Sequence, residues 1–218
     1  MARRPRIEYS GALYHVTARG VQRSAIFHDD HDRRDLLRLL ARTLKARGAE
    51  AFAYCLMGNH YHVVIRTHQA NLSALMHRIN ATYSQAFNRR HARCGHVLEG
   101  RFQAIPIDLD SHLLEVCRYV DLNPARAGLV RAPGEWRWSS YRAHAGCAPP
   151  AAWLATKTLQ GVLTGLTPGC DAEVAVAVAQ ERYADWVAAA THARPAVLQG
   201  GQDWRGKLLA GPLESSTG

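Results

Sequence analysis

The sequence predicts an α+β fold: a ferredoxin-like βαββαβ antiparallel sheet, one added helix, and a mainly helical C-terminal extension. Three observations predict it. Short β-branched and aromatic runs alternate with helical periodicity in the order β-α-β-β-α-β, a two-residue linker joins the second and third runs, and a further helix follows the fourth. The first strand is Leu13 to Ala18, which stops at Arg19-Gly20. From Asp32 to Arg47, leucines at 36, 37, 39, 40 and 44 recur at helical spacing, and Gly48 follows as a C-cap. Ala51 to Met57 and His60 to Arg66 are two strands around Gly58-Asn59, a hairpin linker in which both residues tolerate positive φ. Asn71 is predicted to cap a helix running to about Arg90, with Leu72, Leu75, Met76, Ile79, Tyr83 and Phe87 on one stripe. Residues 91–100 form a loop, and Phe102 to Leu109 a fourth strand whose Pro106 implies an edge position. Ser111 is expected to cap a short helix ending near Asn123, because Pro124 disfavours helical geometry in the residue before it.

Composition narrows the function classes. The 218 residues are 47% hydrophobic and 21% charged, enough to bury a core. No apolar run approaches a membrane span and no apolar stretch follows the basic N-terminus, so a cytoplasmic protein without a signal peptide is expected. Five scattered cysteines with no C-x-x-C pair argue against a disulfide framework or a zinc ribbon. Charge is unevenly distributed. Residues 1–146 hold 22 Lys/Arg against 12 Asp/Glu, whereas residues 147–218 hold 5 against 6. Only three of the 27 basic residues are lysines, and the arginine fork suits phosphates and stacks on bases. A polyanionic partner for the first part follows, nucleic acid ahead of membrane. The basic excess ends near Cys147-Ala148-Pro149-Pro150, dividing the chain into a domain at 1–146 and a partly helical extension at 147–218.

His60-Tyr61-His62 opens the third strand, and side chains at i and i+2 of a strand share a face. Two imidazoles side by side either chelate one divalent ion or are an accident of the strand, and the pair alone does not decide. Glu115, Tyr119 and Asn123 recur every four residues on the helix after the fourth strand. A tyrosine among polar groups near a metal can serve as a covalent nucleophile, with the Asn123 amide oxygen completing the ligand set. On the residue types alone, Tyr119 as a core aromatic and Asn123 as a helix C-cap is the favoured reading.

Met57-Gly58-Asn59-His60-Tyr61-His62-Val63-Val64, followed by Arg118-Tyr119-Val120-Asp121-Leu122-Asn123-Pro124-Ala125-Arg126-Ala127-Gly128-Leu129-Val130, resembles the HUH-type single-strand transposases. Within them the chain looks most like the REP-associated tyrosine transposases. Arg4-Pro5-Arg6 with Tyr14-His15-Val16-Thr17-Ala18-Arg19-Gly20, Glu99-Gly100-Arg101-Phe102, and Trp138-Ser139-Ser140-Tyr141 also look like that family, so the match spans about residues 4 to 145 in order. The resemblance implies a metal-dependent single-stranded DNA endonuclease and strand transferase. Its cofactor is Mg²⁺ or Mn²⁺ on His60, His62 and Asn123, and Tyr119 is the catalytic nucleophile that becomes linked to a 5′ phosphate. The implied substrates are palindromic repeats that fold into DNA hairpins, handled by a monomer or homodimer with no membrane partner. Tyr61 stands where many relatives carry an aliphatic residue, and its ring is expected in the core.

Candidate DNA contacts are Arg3, Arg4 and Arg6 as a phosphate-binding arm, Arg19 at the end of the first strand, and Arg101 before the fourth. Trp136-Arg137-Trp138 and Tyr141-Arg142 interleave aromatic and basic groups, as a stacking platform does, but packing against the sheet is the favoured role for Trp138 and Tyr141. A non-catalytic hairpin-binding repressor of the same fold is the alternative, and an RNA-binding domain leaves the paired histidines unexplained. In the extension, Asp171 is expected to cap a helix to about Thr191. Its stripe of Val176, Ala179, Tyr183, Trp186, Val187 and Ala190 needs a surface to cover, and a modulating role is expected for the extension, with completion of the core as the alternative.

Overall fold

The structure is a computed structural model that describes residues 7–107, 110–164 and 172–191. Four strands, β1 (Leu13–Arg19), β2 (Ala49–Leu56), β3 (His60–Thr67) and β4 (Gln103–Ile107), form one antiparallel sheet in the order β2-β3-β1-β4. Helix α1 (Asp30–Ala46) connects β1 to β2 and α2 (Leu72–Arg90) connects β3 to β4. This is the split βαβ arrangement that the element order predicts. Helix α3 (Asp110–Arg126) follows β4, and α4 (Tyr141–His144), α5 (Thr156–Thr164) and α6 (Ala172–Thr191) complete the described chain.

Both faces of the sheet are covered. Tyr14, Val16 and Ala18 of β1 and Tyr61, Val63 and Ile65 of β3 point into a core closed by Leu36, Leu40 and Leu44 of α1 and the apolar stripe of α2. The alternate residues, among them Leu13 and Val64, face a second core built from Leu113, Cys117, Val120 and Leu122 of α3. Strict alternation fails at one point. Ala51 pairs with Ile65 but Ala53 pairs with Val64, so Phe52 is an extra residue in β2. This bulge turns both Phe52 and Ala53 toward the second core, and the strand's simple two-residue period conceals it.

The edge of β2 is blunted by the chain that follows α3. Leu56 N donates to the Trp138 carbonyl, Ser140 N to the Tyr54 carbonyl, and Ala155 N to the Ala51 carbonyl. Trp136 Nε1 adds a bond to the Leu56 carbonyl. These contacts occupy groups that would otherwise template another strand. Trp138 and Tyr141 are accordingly half-buried against the two cores, the packing role favoured from the sequence. The opposite edge strand, β4, carries Pro106 as expected.

Four local expectations are corrected. Helix α1 starts at Asp30, capped by Asp29, whose carboxylate accepts from His31 N and Asp32 N. Asn71 stands at the N-cap of α2 but its side chain does not cap, because Nδ2 donates to the Arg47 carbonyl instead. Neither Gly58 nor Asn59 adopts a positive φ. Their turn is shaped by docking: Ile26 N donates to the Gly58 carbonyl, Gly20 N to the Asn59 carbonyl, and Asn59 Nδ2 to the Arg23 carbonyl. Finally, α3 starts at Asp110, before Ser111, and runs through Pro124 to Arg126. Proline deprives the Val120 carbonyl of its usual donor, and Asn123 Nδ2 approaches that carbonyl at 3.4 Å while bonding the Tyr119 carbonyl at 2.8 Å. Burial of Leu122 and Pro124 then outweighs the local preference. The side chain of Ser111, Leu109 and the cap at Asp171 lie outside the described residues.

Helix α6 lies on the α3 side of the sheet. Tyr183, Val187 and Ala190, with Leu159 of α5, join the second core, and Trp186 is half-buried beside it, whereas Val176 is exposed. Among the described residues no helix is long and apolar enough to cross a membrane.

Candidate active site

Three elements bring the candidate residues together. The register pairs Arg19 with His60 and Thr17 with His62, so the end of β1 lies beside the start of β3. Gly20 lets the chain turn tightly just beyond this strand end, since a Cβ there would stand 2.1 Å from the Ser24 carbonyl oxygen. His60 and His62 project from one face of β3 with ring centroids 5.0 Å apart. Tyr61 projects from the other, fully buried, with its hydroxyl bonded to Asn80 Oδ1 at 2.5 Å. Helix α3 crosses the histidine face and sets the Tyr119 ring edge-on to His62, 5.9 Å between centroids.

The hydrogen bonds fix how the imidazoles present themselves. His60 Nδ1 bonds Asn59 Oδ1 at 2.7 Å. His62 Nδ1 meets Thr17 Oγ1 at 3.1 Å and His15 Nε2 at 2.9 Å. With each Nδ1 engaged, Nε2 is the nitrogen left to act as a ligand, the way an outer partner orients a metal-binding histidine. Burial also keeps the rings neutral. It lowers His60 to about 4, aided by the charge of Arg19, and lowers His62 well below its ordinary 6.5, aided by His15, His60 and Arg19. Neutral imidazoles whose Nδ1 atoms are engaged are the form that binds a divalent ion through Nε2, so this pair fits one.

Asn123 lies one turn beyond Tyr119, with its amide nitrogen committed to the Tyr119 carbonyl and its amide oxygen left as the acceptor. Among the described residues no group of three or more His, Cys, Asp or Glu side chains is placed to hold a metal. Any ion here therefore relies on the two histidines, an amide oxygen and non-protein oxygens. Glu115, on the same helical stripe, is exposed and pairs with Arg118. The Tyr119 hydroxyl is raised from its ordinary 10 by burial, against which the Arg126 charge, a hydrogen bond from Asn123 and the Arg19 charge all work.

Of the predicted DNA contacts, Arg19 is exposed at the histidine end of β1, where its charge acts on His60, His62 and Tyr119. Arg101 is exposed just before Gln103, the partner of Thr17, and leaves the sheet at the same end. It lines a groove of about 570 Å³ beside α2 with Asn80, Asn88, His96 and Phe102. Arg3, Arg4 and Arg6 lie outside the described residues.

Two features escape the sequence reading. His15, 6% exposed and lowered to about 4 by burial, stacks on His62 at 5.1 Å and meets the Tyr119 ring at 5.7 Å. Its two-residue spacing from Leu13 and Thr17 places it on the right face, but only the β1–β3 register sets it against His62. Asp121, fully buried two residues past Tyr119, accepts from Ser140 Oγ at 2.6 Å, His144 Nδ1 at 3.0 Å and the Tyr183 hydroxyl at 2.7 Å. Those donors come from later segments, and nothing local announces their convergence.

A family model described as "Transposase IS200 like" matches residues 8–123. Among solved structures, the chain is similar to a REP-associated tyrosine transposase bound to a REP hairpin, with TM-score 0.59 and 16% identity over 71% of this chain and 92% of that one. A transposase-like protein from Deinococcus radiodurans follows at TM-score 0.39 and 12% identity, covering 55% of this chain and 96% of that one. The tRNA(His) guanylyltransferase of Saccharomyces cerevisiae aligns at TM-score 0.41 and 9% identity, covering 79% and 75%. No curated protein matches.

Proposed function

The chain belongs to the IS200-like transposase family, and from that premise we propose that it cuts and rejoins single-stranded DNA at hairpin-forming repeats through a covalent Tyr119 intermediate. The observation that carries this reading is the meeting of His60, His62 and Tyr119 from β3 and α3, with the tyrosine ring 5.9 Å from His62. The fold is shared with a transposase whose structure holds a REP hairpin, which supports hairpin DNA as the substrate class.

In the proposed step the Tyr119 oxygen, its proton given up to solvent, attacks a backbone phosphorus. A phosphorus–tyrosine bond forms and the bond to the 3′ oxygen breaks. That oxygen takes a proton from solvent and leaves as a 3′ hydroxyl. One phosphodiester replaces another, so a 3′ hydroxyl can reverse the step without an energy source. His60 and His62, with Asn123, would hold Mg²⁺ or Mn²⁺, which when bound would polarise the phosphate. Asn59 and Thr17 keep the two imidazoles oriented, and α3 keeps the Tyr119 ring edge-on beside His62. Arg19 and Arg101, exposed at the same end of the sheet, serve as backbone contacts for the strand.

The test is incubation of a labelled hairpin oligonucleotide with the protein and Mn²⁺, followed by denaturing electrophoresis. A labelled protein adduct supports the reading, and its absence with every hairpin of a randomised library, despite hairpin binding, would favour a purely binding role.

A further inference from the structure

Arg126 occupies the last turn of α3, seven residues beyond Tyr119, and its guanidinium folds back to lie 5.6 Å from the centre of the Tyr119 ring. Its surroundings are unusual for an arginine. Nε and Nη1 are both buried and neither has a hydrogen-bond partner among the described residues. A guanidinium presents five donors in a fixed fork, and leaving two of them without a partner is unfavourable. Removing water from the charge also disfavours it, and burial lowers the Arg126 pKa from its ordinary value.

Other arginines near the sheet are settled differently. Arg90 pairs with Asp29 and Asp32, and Arg118 with Glu115. The carboxylate nearest Tyr119 in sequence, Asp121, is already occupied by Ser140, His144 and Tyr183. Arg126 is thus a cation with unused donors, held against the ring of the proposed nucleophile.

We propose that Arg126 is a catalytic residue whose free N–H donors take a non-bridging oxygen of the phosphate attacked by Tyr119. This rests on the reading of Tyr119 as nucleophile and adds a residue to it. The phosphodiester carries one negative charge in the intact strand and one in the tyrosine adduct, so the same fork serves both. As the phosphorus takes on a fifth oxygen, charge grows on the non-bridging oxygens, and donors fixed in a dry site strengthen most at that moment. The guanidinium over the aromatic face also restrains the ring, so attack geometry and charge stabilisation come from one side chain.

The experiment removes the charge from each partner in turn. The cleavage position is first mapped from the adduct formed by the unaltered protein on a hairpin oligonucleotide. A second oligonucleotide then carries a single neutral methylphosphonate at that position. Affinities for both are measured in chelator with Tyr119→Phe and with Tyr119→Phe combined with Arg126→Gln. With Arg126 present, methylphosphonate should weaken binding about tenfold, the scale of a charge-assisted hydrogen bond. With Arg126→Gln the two oligonucleotides should bind alike. In the Tyr119-intact protein, Arg126→Lys should retain more cleavage than Arg126→Gln. The melting temperature of metal-free Arg126→Met should hold or rise, since an unpaired buried charge is lost. Equal sensitivity to methylphosphonate with and without Arg126 overturns the proposal while leaving the Tyr119 reading intact. Failure of the unaltered protein to form any adduct overturns both.

Discussion

Helix α3 carries two polar clusters on neighbouring turns, and they are built on opposite principles. Around Asp121 the carboxylate is saturated: three donors converge on one fully buried group. Around Tyr119 the groups are less fully engaged, with two imidazoles bonded through Nδ1 and a guanidinium whose Nε and Nη1 bond nothing among the described residues. A polar group buried without a partner is a standing cost, and two such donors on one guanidinium beside a tyrosine call for an explanation. The Asp121 carboxylate is therefore scaffold, although His144 Nε2 beside it has no partner among the described residues, and the open cluster is the proposed site. Asp121 also joins the two, because it fixes α3 against α4 and α6 only two residues from the tyrosine.

The largest effect should come from the open cluster. Tyr119→Phe removes only the attacking oxygen, so cleavage and adduct should vanish while hairpin affinity stays within about twofold, as read by gel shift. A surviving adduct would transfer the nucleophile to another residue, with Tyr83 and Tyr141 tested next. His60→Ala or His62→Ala should lower cleavage at least about 100-fold and weaken Mn²⁺ binding measured by calorimetry, since one imidazole and an amide hold a hard ion poorly. Unchanged Mn²⁺ affinity in a folded variant would separate the histidines from the metal.

The saturated cluster should respond in stability. Asp121→Ala leaves the donors of Ser140, His144 and Tyr183 stranded, with an expected loss of about 3–5 kcal/mol in urea unfolding. A loss below about 1 kcal/mol would show that the network is not what holds α6 to α3. Acid sharpens the contrast from the other side. His15 is buried neutral near pKa 4 against an ordinary 6.5, so its contribution is full above about pH 6.5 and is lost as pH falls toward 4. Metal-free protein should lose on the order of 3 kcal/mol across that window from this residue, and His15→Gln should flatten the melting-temperature profile between pH 6.5 and 4. The smallest expected change is Tyr183→Phe, about 1–2 kcal/mol, because Asp121 keeps its other two donors. An equal loss from Tyr183→Phe and Asp121→Ala would mean that the hydroxyl alone secures the extension.

Much of this molecule is legible in the sequence because it is periodic. The two-residue period of Tyr61, Val63 and Ile65 against His60 and His62 assigns the faces of β3 from spacing alone, and the leucine spacing of α1 and α2 assigns their stripes. The four-residue spacing of Tyr119 and Asn123 places both on one side of α3, and the ordered motifs from Tyr14 to Tyr141 carry the family resemblance. What the sequence left open depends on contacts distant along the chain. Pro124 is tolerated inside α3 because Asn123 approaches the freed carbonyl and the second core buries Leu122. The Gly58-Asn59 turn takes its shape from the 20–26 loop, and Phe52 becomes a bulge only when β2 is paired with β3. His15 reaches His62 through strand register, and Asp121 finds donors 19, 23 and 62 residues away. Local periodicity follows from backbone geometry and is written in the chain. The partners of buried polar groups are chosen by packing, which only the folded molecule decides.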